Sequence, residues 1–479
     1  MDVLFTYDKI KRLATIQSEY LENIREHFSV KEQKFGLAKF NPYAPDRKYV
    51  IAPKGQFEIG LFAEIIMHLR KLDIPFNIQL SPDFKQAISL GYNIKSFYGL
   101  KLTLRDYQKD IVDICLKKGF GTIVLATAGG KTLTMATLIE NIVNNTTDPV
   151  KTLIIVPDIG LVNQTYNDFI DYGIDADRLS RWTGTIEINK EADIIIANMS
   201  ILQSELSDIS WIPHISLLIV DEVHKLRRDN KINSIIRKIK TMHKFGFTGT
   251  LPTDLLDQWN IIGKIGPILY EKMAHELRDE NYVAKSSVLI LNVTYSDAPD
   301  YDYADAASTK NYHAELEFIG NHEGRSNIIS RISKNFSNNG LILVDRIEHG
   351  INLYNKLSTE LVDKQVFFIR GDVDVDDRKK IQDKMEISNN VVCIAISKIF
   401  STGINIKNLH FIMFASGGKA KVKIVQAIGR GLRLHENKES LTVIDIADYL
   451  QYSIKHLEER KKLYESEKIR FTTKNIHAE

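Results

Sequence analysis

Two cysteines in 479 residues, Cys115 and Cys393, leave no material for a disulfide framework or a thiolate zinc site. One falls in an amphipathic helical stretch and the other in the apolar run "VVCIAIS", so both read as reduced core residues. Long hydrophobic runs are missing as well. Nothing approaches the ~18 apolar residues of a membrane span, and "MDVLFTYDKIKRLATI" at the start lacks a signal-peptide core, so a cytoplasmic chain with no membrane contact is expected. An excess of one charge is also absent. The net charge is +2, so any nucleic-acid surface must be a local patch. There is no fixed-period repeat and no low-complexity tract. What remains, 44% hydrophobic and 26% charged residues, is an ordinary globular composition with length for two to four domains.

From about residue 100, short β-branched runs alternate with helical patterns: "TIVLAT" (122–127), "TLIIVP" (152–157), "DIIIANM" (193–199), "SLLIVDE" (216–222) and "KFGFTGT" (244–250). That alternation predicts a parallel sheet covered by helices. It restarts with "LILVD" (341–345), "VFFIRG" (366–371), "VVCIAIS" (391–397), "HFIMFAS" (410–416) and "LTVIDIAD" (441–448), which predicts a second α/β layer of similar size. Between them "YSDAPDYDYADAAST" (295–309) is acidic and turn-rich, a surface loop or insertion. The first 98 residues read differently. A Pro/Gly-punctuated segment (40–60) precedes the amphipathic "LFAEIIMHLRKL" (61–72), which predicts a small, mildly basic α+β module.

Chemistry concentrates in three stretches. In "LATAGGKTLT" (125–134) a strand runs through a glycine-bearing turn, Gly129-Gly130, into Lys131-Thr132 and a helix, although Leu125 stands where a phosphate loop usually opens with glycine. Backbone N–H groups and a helix N-terminus converge on an anion in such a setting, with Lys131 reaching the β- and γ-phosphates and Thr132 offering its hydroxyl to Mg²⁺. Some 90 residues on, "LLIVDEVHKL" ends an apolar strand in Asp221-Glu222. Adjacent carboxylates there are costly without a cation. Asp221 is the candidate to hold Mg²⁺, and Glu222 to orient and deprotonate the attacking water. The third stretch, "QAIGRGLR" (426–433), sets Arg430 and Arg433 one helical turn apart, suited to a γ-phosphate on closure of two domains.

Taken in order, these motifs resemble those of superfamily 2 helicases and translocases over residues 100–450. The resemblance implies an α/β fold of two RecA-like parallel-sheet domains in tandem with a small N-terminal α+β domain. It also implies ATP and Mg²⁺ as cofactors. "LRDYQ" (104–108) is similar to the adenine-recognising Q motif, which implies that Gln108 bonds the base with Arg105 or Tyr107 packed nearby. "LATAGGKT" is similar to motif I, which in this superfamily commonly dispenses with the first glycine. Ala128 replaces a glycine common in the family, so the loop must turn with a Cβ present. "DEVH" (221–224) resembles motif II and "TGT" (248–250) motif III. "FSTGINI" (400–406) and "QAIGRGLR" resemble motifs V and VI, implying roles for Gly403 and Gln426 near the nucleotide, for Arg430 and Arg433 at the γ-phosphate, and for Arg433 as the finger. "IIVPDIGLVNQ" (154–164), "WTGT" (182–185) and "IIIANMSIL" (194–202) resemble motifs Ia, Ib and Ic, implying DNA-backbone contacts near Thr183, Asn198 and Ser200.

The "FNPYAPDRKYVIAPKGQFEIGLFAEII" segment (40–66) and "STGINIKNLH" (401–410) are similar to the UvsW-type branch-migration helicases of phages. The implied domains are 1–98, an accessory DNA-binding module; 99–280, RecA-like domain 1 with motifs Q to III; and 281–479, RecA-like domain 2 with motifs IV to VI. The implied activity is ATP-dependent unwinding or branch migration of forks, Holliday junctions or R-loops in recombination, repair or replication, in the host cytoplasm if a phage encodes the chain. Its partner would be branched or forked DNA bound without sequence preference. The resemblance admits monomeric action, and single-strand-binding or recombination proteins as partners. Two other readings stay open at this stage: an ATP-gated nucleic-acid clamp, and the motor component of a restriction-type complex.

Overall fold

The computed structural model describes residues 2–31, 47–72, 75–299, 309–371, 373, 375–397, 406–416, 424, 427–429, 431, 432, 435, 438 and 440–479. Their contacts divide the chain into two compact units, residues 1–125 with 130–271, and residues 126–129 with 272–479.

The first unit is built on a seven-stranded sheet in the order Ile268–Lys272, Gly121–Leu125, Lys244–Thr248, Leu217–Asp221, Thr152–Val156, Ile194–Asn198, Leu179–Trp182. From Gly121–Leu125 across to Leu179–Trp182 neighbouring strands run parallel. "GTIVL", "TLIIV", "IIIAN" and "LLIVD" are buried at every position, because helices cover both faces of a parallel sheet and leave no solvent side for polar residues. The apolar runs from 122 to 250 therefore form the strands expected of them, each a residue or two shorter than its run. Cys115 is buried in the helix Asp106–Lys118 and Cys393 in the second sheet, both as free thiols.

The N-terminal module is α+β, as expected. Its four-stranded sheet runs in the order Gln56–Phe57, Leu13–Gln17, Asp2–Asp8, Asn77–Leu80, mixing antiparallel pairs with one parallel pair. Phe5 packs against Phe62 at 4.9 Å and Phe84 at 5.5 Å, ring centroid to centroid. This core does not close on itself. Trp259 packs on Phe28 at 5.3 Å, and Ile262 is buried in the same cluster, both from the helix Leu255–Ile265. Gly60 permits that contact, since a Cβ there would lie 1.9 Å from the Ile262 carbonyl oxygen.

The second unit carries another seven-stranded sheet, ordered Gln365–Ile369, Val391–Ile396, Gly340–Val344, Phe411–Phe414, Ser440–Asp448, Lys285–Tyr295, Arg470–Ala478, with parallel neighbours throughout. Five of these strands are the expected ones. Lys285–Tyr295 and Arg470–Ala478 are additional. The last lies at the sheet edge with most of "RFTTKNIHA" exposed, so it shows no apolar run. The acidic 295–309 segment lies largely outside the described residues, as do Gly403, Gln426, Arg430 and Arg433. Among the described residues, no helix is long and apolar enough to cross a membrane.

Candidate nucleotide-hydrolysis site

Three neighbouring strands of the first unit deliver their carboxyl ends to one edge: Gly121–Leu125, Lys244–Thr248 and Leu217–Asp221, with Thr248 in register with Val124 and Asp221 with Phe247. In open parallel α/β sheets this is the edge where ligands bind. From Leu125 the chain turns through residues 126–129 and enters the helix Lys131–Asn145, whose N-cap Gly130 is left-handed at φ +79°. Ala128 is also left-handed, at φ +67°, so the turn is made with a Cβ present. An L-residue pays about 1–2 kcal/mol for that conformation.

Gln108 clamps the far side of this loop. Its Nε2 donates to the Gly130 carbonyl at 3.2 Å while its Oε1 accepts from the Arg105 N–H at 2.9 Å. The Q-motif residue thereby joins the start of the helix Asp106–Lys118 to the end of the phosphate loop, and its side chain is buried. Tyr107 is buried beside it, with its hydroxyl accepting from Arg105 Nη1 at 2.9 Å. Lys131 leans back over the loop, its Nζ 3.4 Å from the Leu125 carbonyl and 3.9 Å from Glu222 Oε1.

Asp221 ends its strand buried, and Glu222 turns left-handed at φ +48° with its N–H donating to Asp221 Oδ1 at 2.8 Å. Burial first, and the Glu222 charge second, push the Asp221 carboxyl well above the usual carboxylate range against the opposing pull of Lys131. Two carboxylates thus share one nearby ammonium. The Asp221 carboxylate and the hydroxyl of Thr132, second residue of the helix Lys131–Asn145, are hard-oxygen donors of the kind Mg²⁺ takes.

Two participants carried no assigned role in the sequence reading. His224 Nδ1 lies 2.9 Å from Thr248 Oγ1 and 3.2 Å from Glu222 Oε2. The Thr248 hydroxyl donates to the Thr250 carbonyl at 2.8 Å, so His224 Nδ1 must carry the proton and donate to the Thr248 oxygen. "DEVH" and "TGT" are therefore joined by a hydrogen bond beside Glu222. The spacing within each motif gives no sign of it, because the two stretches are 24 residues apart.

The predicted DNA-contact residues are placed less simply. Thr183 is buried, with Oγ1 accepting from the Ile186 N–H at 3.1 Å. Asn198 caps the short helix Met199–Leu202, accepting from the Ser200 N–H at 2.9 Å and donating to the Pro157 carbonyl at 3.0 Å. These two side chains shape their loops, and Ser200 is the exposed one of the three.

A parallel α/β sheet with a phosphate loop and an acid pair at adjoining strand ends, followed by a second such sheet, is the build of a RecA-like nucleotide-driven motor. Residues 101–253 match the family described as type III restriction enzyme, res subunit, and residues 323–435 match the helicase conserved C-terminal domain. The chain is 26% identical over 396 residues to the ATP-dependent DNA helicase uvsW of Enterobacteria phage T4, covering 78% of this chain and 77% of that protein. It is 24% identical over 339 residues to the putative DNA 3'-5' helicase Rad25 of Haloarcula marismortui, covering 70% of this chain and 51% of that protein. The Pyrococcus furiosus Hef helicase domain shares the fold, with a TM-score of 0.52 at 15% identity over 76% of this chain and 100% of that one. The chain belongs to the superfamily 2 helicases, and its motor is driven by ATP.

Proposed function

We propose that this ATP-dependent DNA helicase remodels branched DNA, stepping along one strand of a duplex at forks and four-way junctions. The convergence of Lys131 and Glu222, 3.9 Å apart at the carboxyl edge of the first sheet, carries the hydrolytic part of the reading. Lys131 binds the β- and γ-phosphates. Glu222, beside His224, takes the proton of the attacking water. Thr132 and Asp221 hold Mg²⁺, which when bound offsets the charge of the phosphates. Gln108 fixes the loop end and, with Arg105 and Tyr107, borders the place of the adenine.

The branched-DNA part rests on the similarity to the phage T4 helicase, which extends over 78% of the chain. Residues 1–98 are the accessory module in this reading. They share a core with the helix Leu255–Ile265, so they ride on the motor rather than hang from a linker. A motor serving a restriction-type complex is the second reading, favoured by the family matched at 101–253. ATP turnover measured with single-stranded, duplex, forked and four-way DNA separates the two. Branch remodelling predicts the greatest stimulation by forked and four-way substrates. Equal stimulation by plain duplex, with no product from junctions, overturns it.

A further inference from the structure

Lys244 opens the strand whose far end, Thr248, belongs to the nucleotide site, so the two residues stand at opposite edges of the first sheet, about 13 Å apart at the usual rise per residue. At the Lys244 edge the N-terminal module meets the motor around a cavity of about 310 Å³. Lys11, Arg12, Arg237, Lys244 and Lys264 line it, and the one carboxylate among its lining residues is Glu58.

Glu58 is already shared. Its Oε1 lies 3.1 Å from Arg237 Nη2 and 3.8 Å from Lys264 Nζ. Arg12 Nη1 donates to the carbonyls of Arg237 at 2.8 Å and Ile239 at 2.7 Å, and Lys264 also bonds Asn260. The Lys244 ammonium has no hydrogen bond and no ion pair among the described residues. Burial pushes it down to about 8, with Arg12 and Lys264 adding to the effect and Glu58 opposing it. A half-buried ammonium set among four other cationic side chains is unfavourable, and proteins keep such groups where an anion or a partner neutralises them.

We propose that this cavity is an anion site for a phosphate group, separate from the nucleotide site and held chiefly by Lys244, Lys264 and Arg12. The cavity is at the small end of ligand pockets, matched to a phosphate or pyrophosphate and too small for a peptide. The group can arrive as a free anion or as a backbone phosphate of DNA passing the junction of module and motor, and in either case it ties residues 1–98 to the motor.

The test uses the full chain carrying Lys131→Ala, which disables the nucleotide site, with and without Lys244→Met, at constant ionic strength. Pyrophosphate should raise the unfolding midpoint of the Lys131→Ala protein and leave that of the double variant unmoved, with a loss of affinity on the order of tenfold or more for one charged hydrogen bond. If the source is DNA, pyrophosphate has no effect and a short duplex shows that loss instead. Lys264→Gln repeats the comparison should Lys244→Met fold poorly. The proposal is overturned if both ligands bind and stabilise the proteins equally whether or not Lys244 and Lys264 are present.

Discussion

Each unit of the chain ends a sheet strand in a buried aspartate, Asp221 in the first and Asp448 in the second, with a second acid close by in each, Glu222 and Asp445, and the two pairs are treated differently. In the second unit Asp448 takes both the Nε and Nη2 of the buried Arg325, at 2.7 and 3.1 Å, and Tyr295 donates to it as well. Asp445 takes Arg460 at 2.9 Å and the Tyr464 hydroxyl at 2.8 Å. In the first unit the Lys131 ammonium lies 3.9 Å from one oxygen of Glu222, the neighbour of Asp221, and His224 Nδ1 lies 3.2 Å from the other. Acids neutralised by fixed guanidinium groups hold a fold together. Acids beside a phosphate loop at a sheet's carboxyl edge are candidates for a ligand that brings its own positive charge. Acidic residues are thus structural in the second unit, and those of the first are the ones we propose for chemistry.

The sharpest way to break this contrast is on the chemical side. Lys131→Ala should abolish ATP hydrolysis while leaving the protein folded, read as phosphate release beside an unchanged unfolding midpoint. On the structural side the outcome should invert. Asp448→Asn strands the buried Arg325 charge and should cost about 3–5 kcal/mol of stability, read by denaturant unfolding. Replacing the acid should therefore damage the fold far more in the second unit than in the first.

A smaller effect tests the same buried network by pH. His349 is buried with Nε2 3.4 Å from Arg325 Nη1, and burial first and Arg325 second push its pKa down to about 3. The unfolded chain takes up this proton near pH 6.5 and the folded chain does not. Stability is therefore full above about 6.5 and falls as pH drops towards 3, by about 2 kcal/mol at pH 5. His349→Gln should flatten that part of the pH–stability profile. The smallest effect lies in the phosphate loop. Ala128→Gly should relieve the left-handed Cβ and, after the added freedom of the unfolded chain, gain less than about 1 kcal/mol with turnover intact. Gly130→Ala should do the reverse, because its Cβ would lie 2.3 Å from Gln108 Nε2.

The sequence made the nucleotide edge legible because parallel strands buried on both faces must be continuous apolar runs, and the motif residues sit where those runs stop. Ala128 could be read as a Cβ in a turn that prefers glycine, and its φ of +67° agrees. Other features were not legible, for physical reasons. The strand Arg470–Ala478 has one exposed edge and carries no hydrophobic signature. Asp448 and Arg325 are 123 residues apart, and nothing local to "DIAD" names its partner. Gln108 reads as a base contact, and nothing in the sequence shows that its carboxamide also links two motifs 22 residues apart. The Lys244 cavity is assembled from segments more than 200 residues apart in the chain, so no window of sequence contains it.

Glu222, set between Lys131 and His224, is the carboxylate we propose to activate water. Glu222→Gln keeps the shape and the His224 contact while removing the base, and the decisive measurement is ATP affinity and DNA-stimulated turnover on the same preparation. Affinity should stay within a few-fold of the parent, while turnover should fall on the order of 10²-fold or more, the usual worth of a general base. Parent-like turnover in Glu222→Gln would contradict the account.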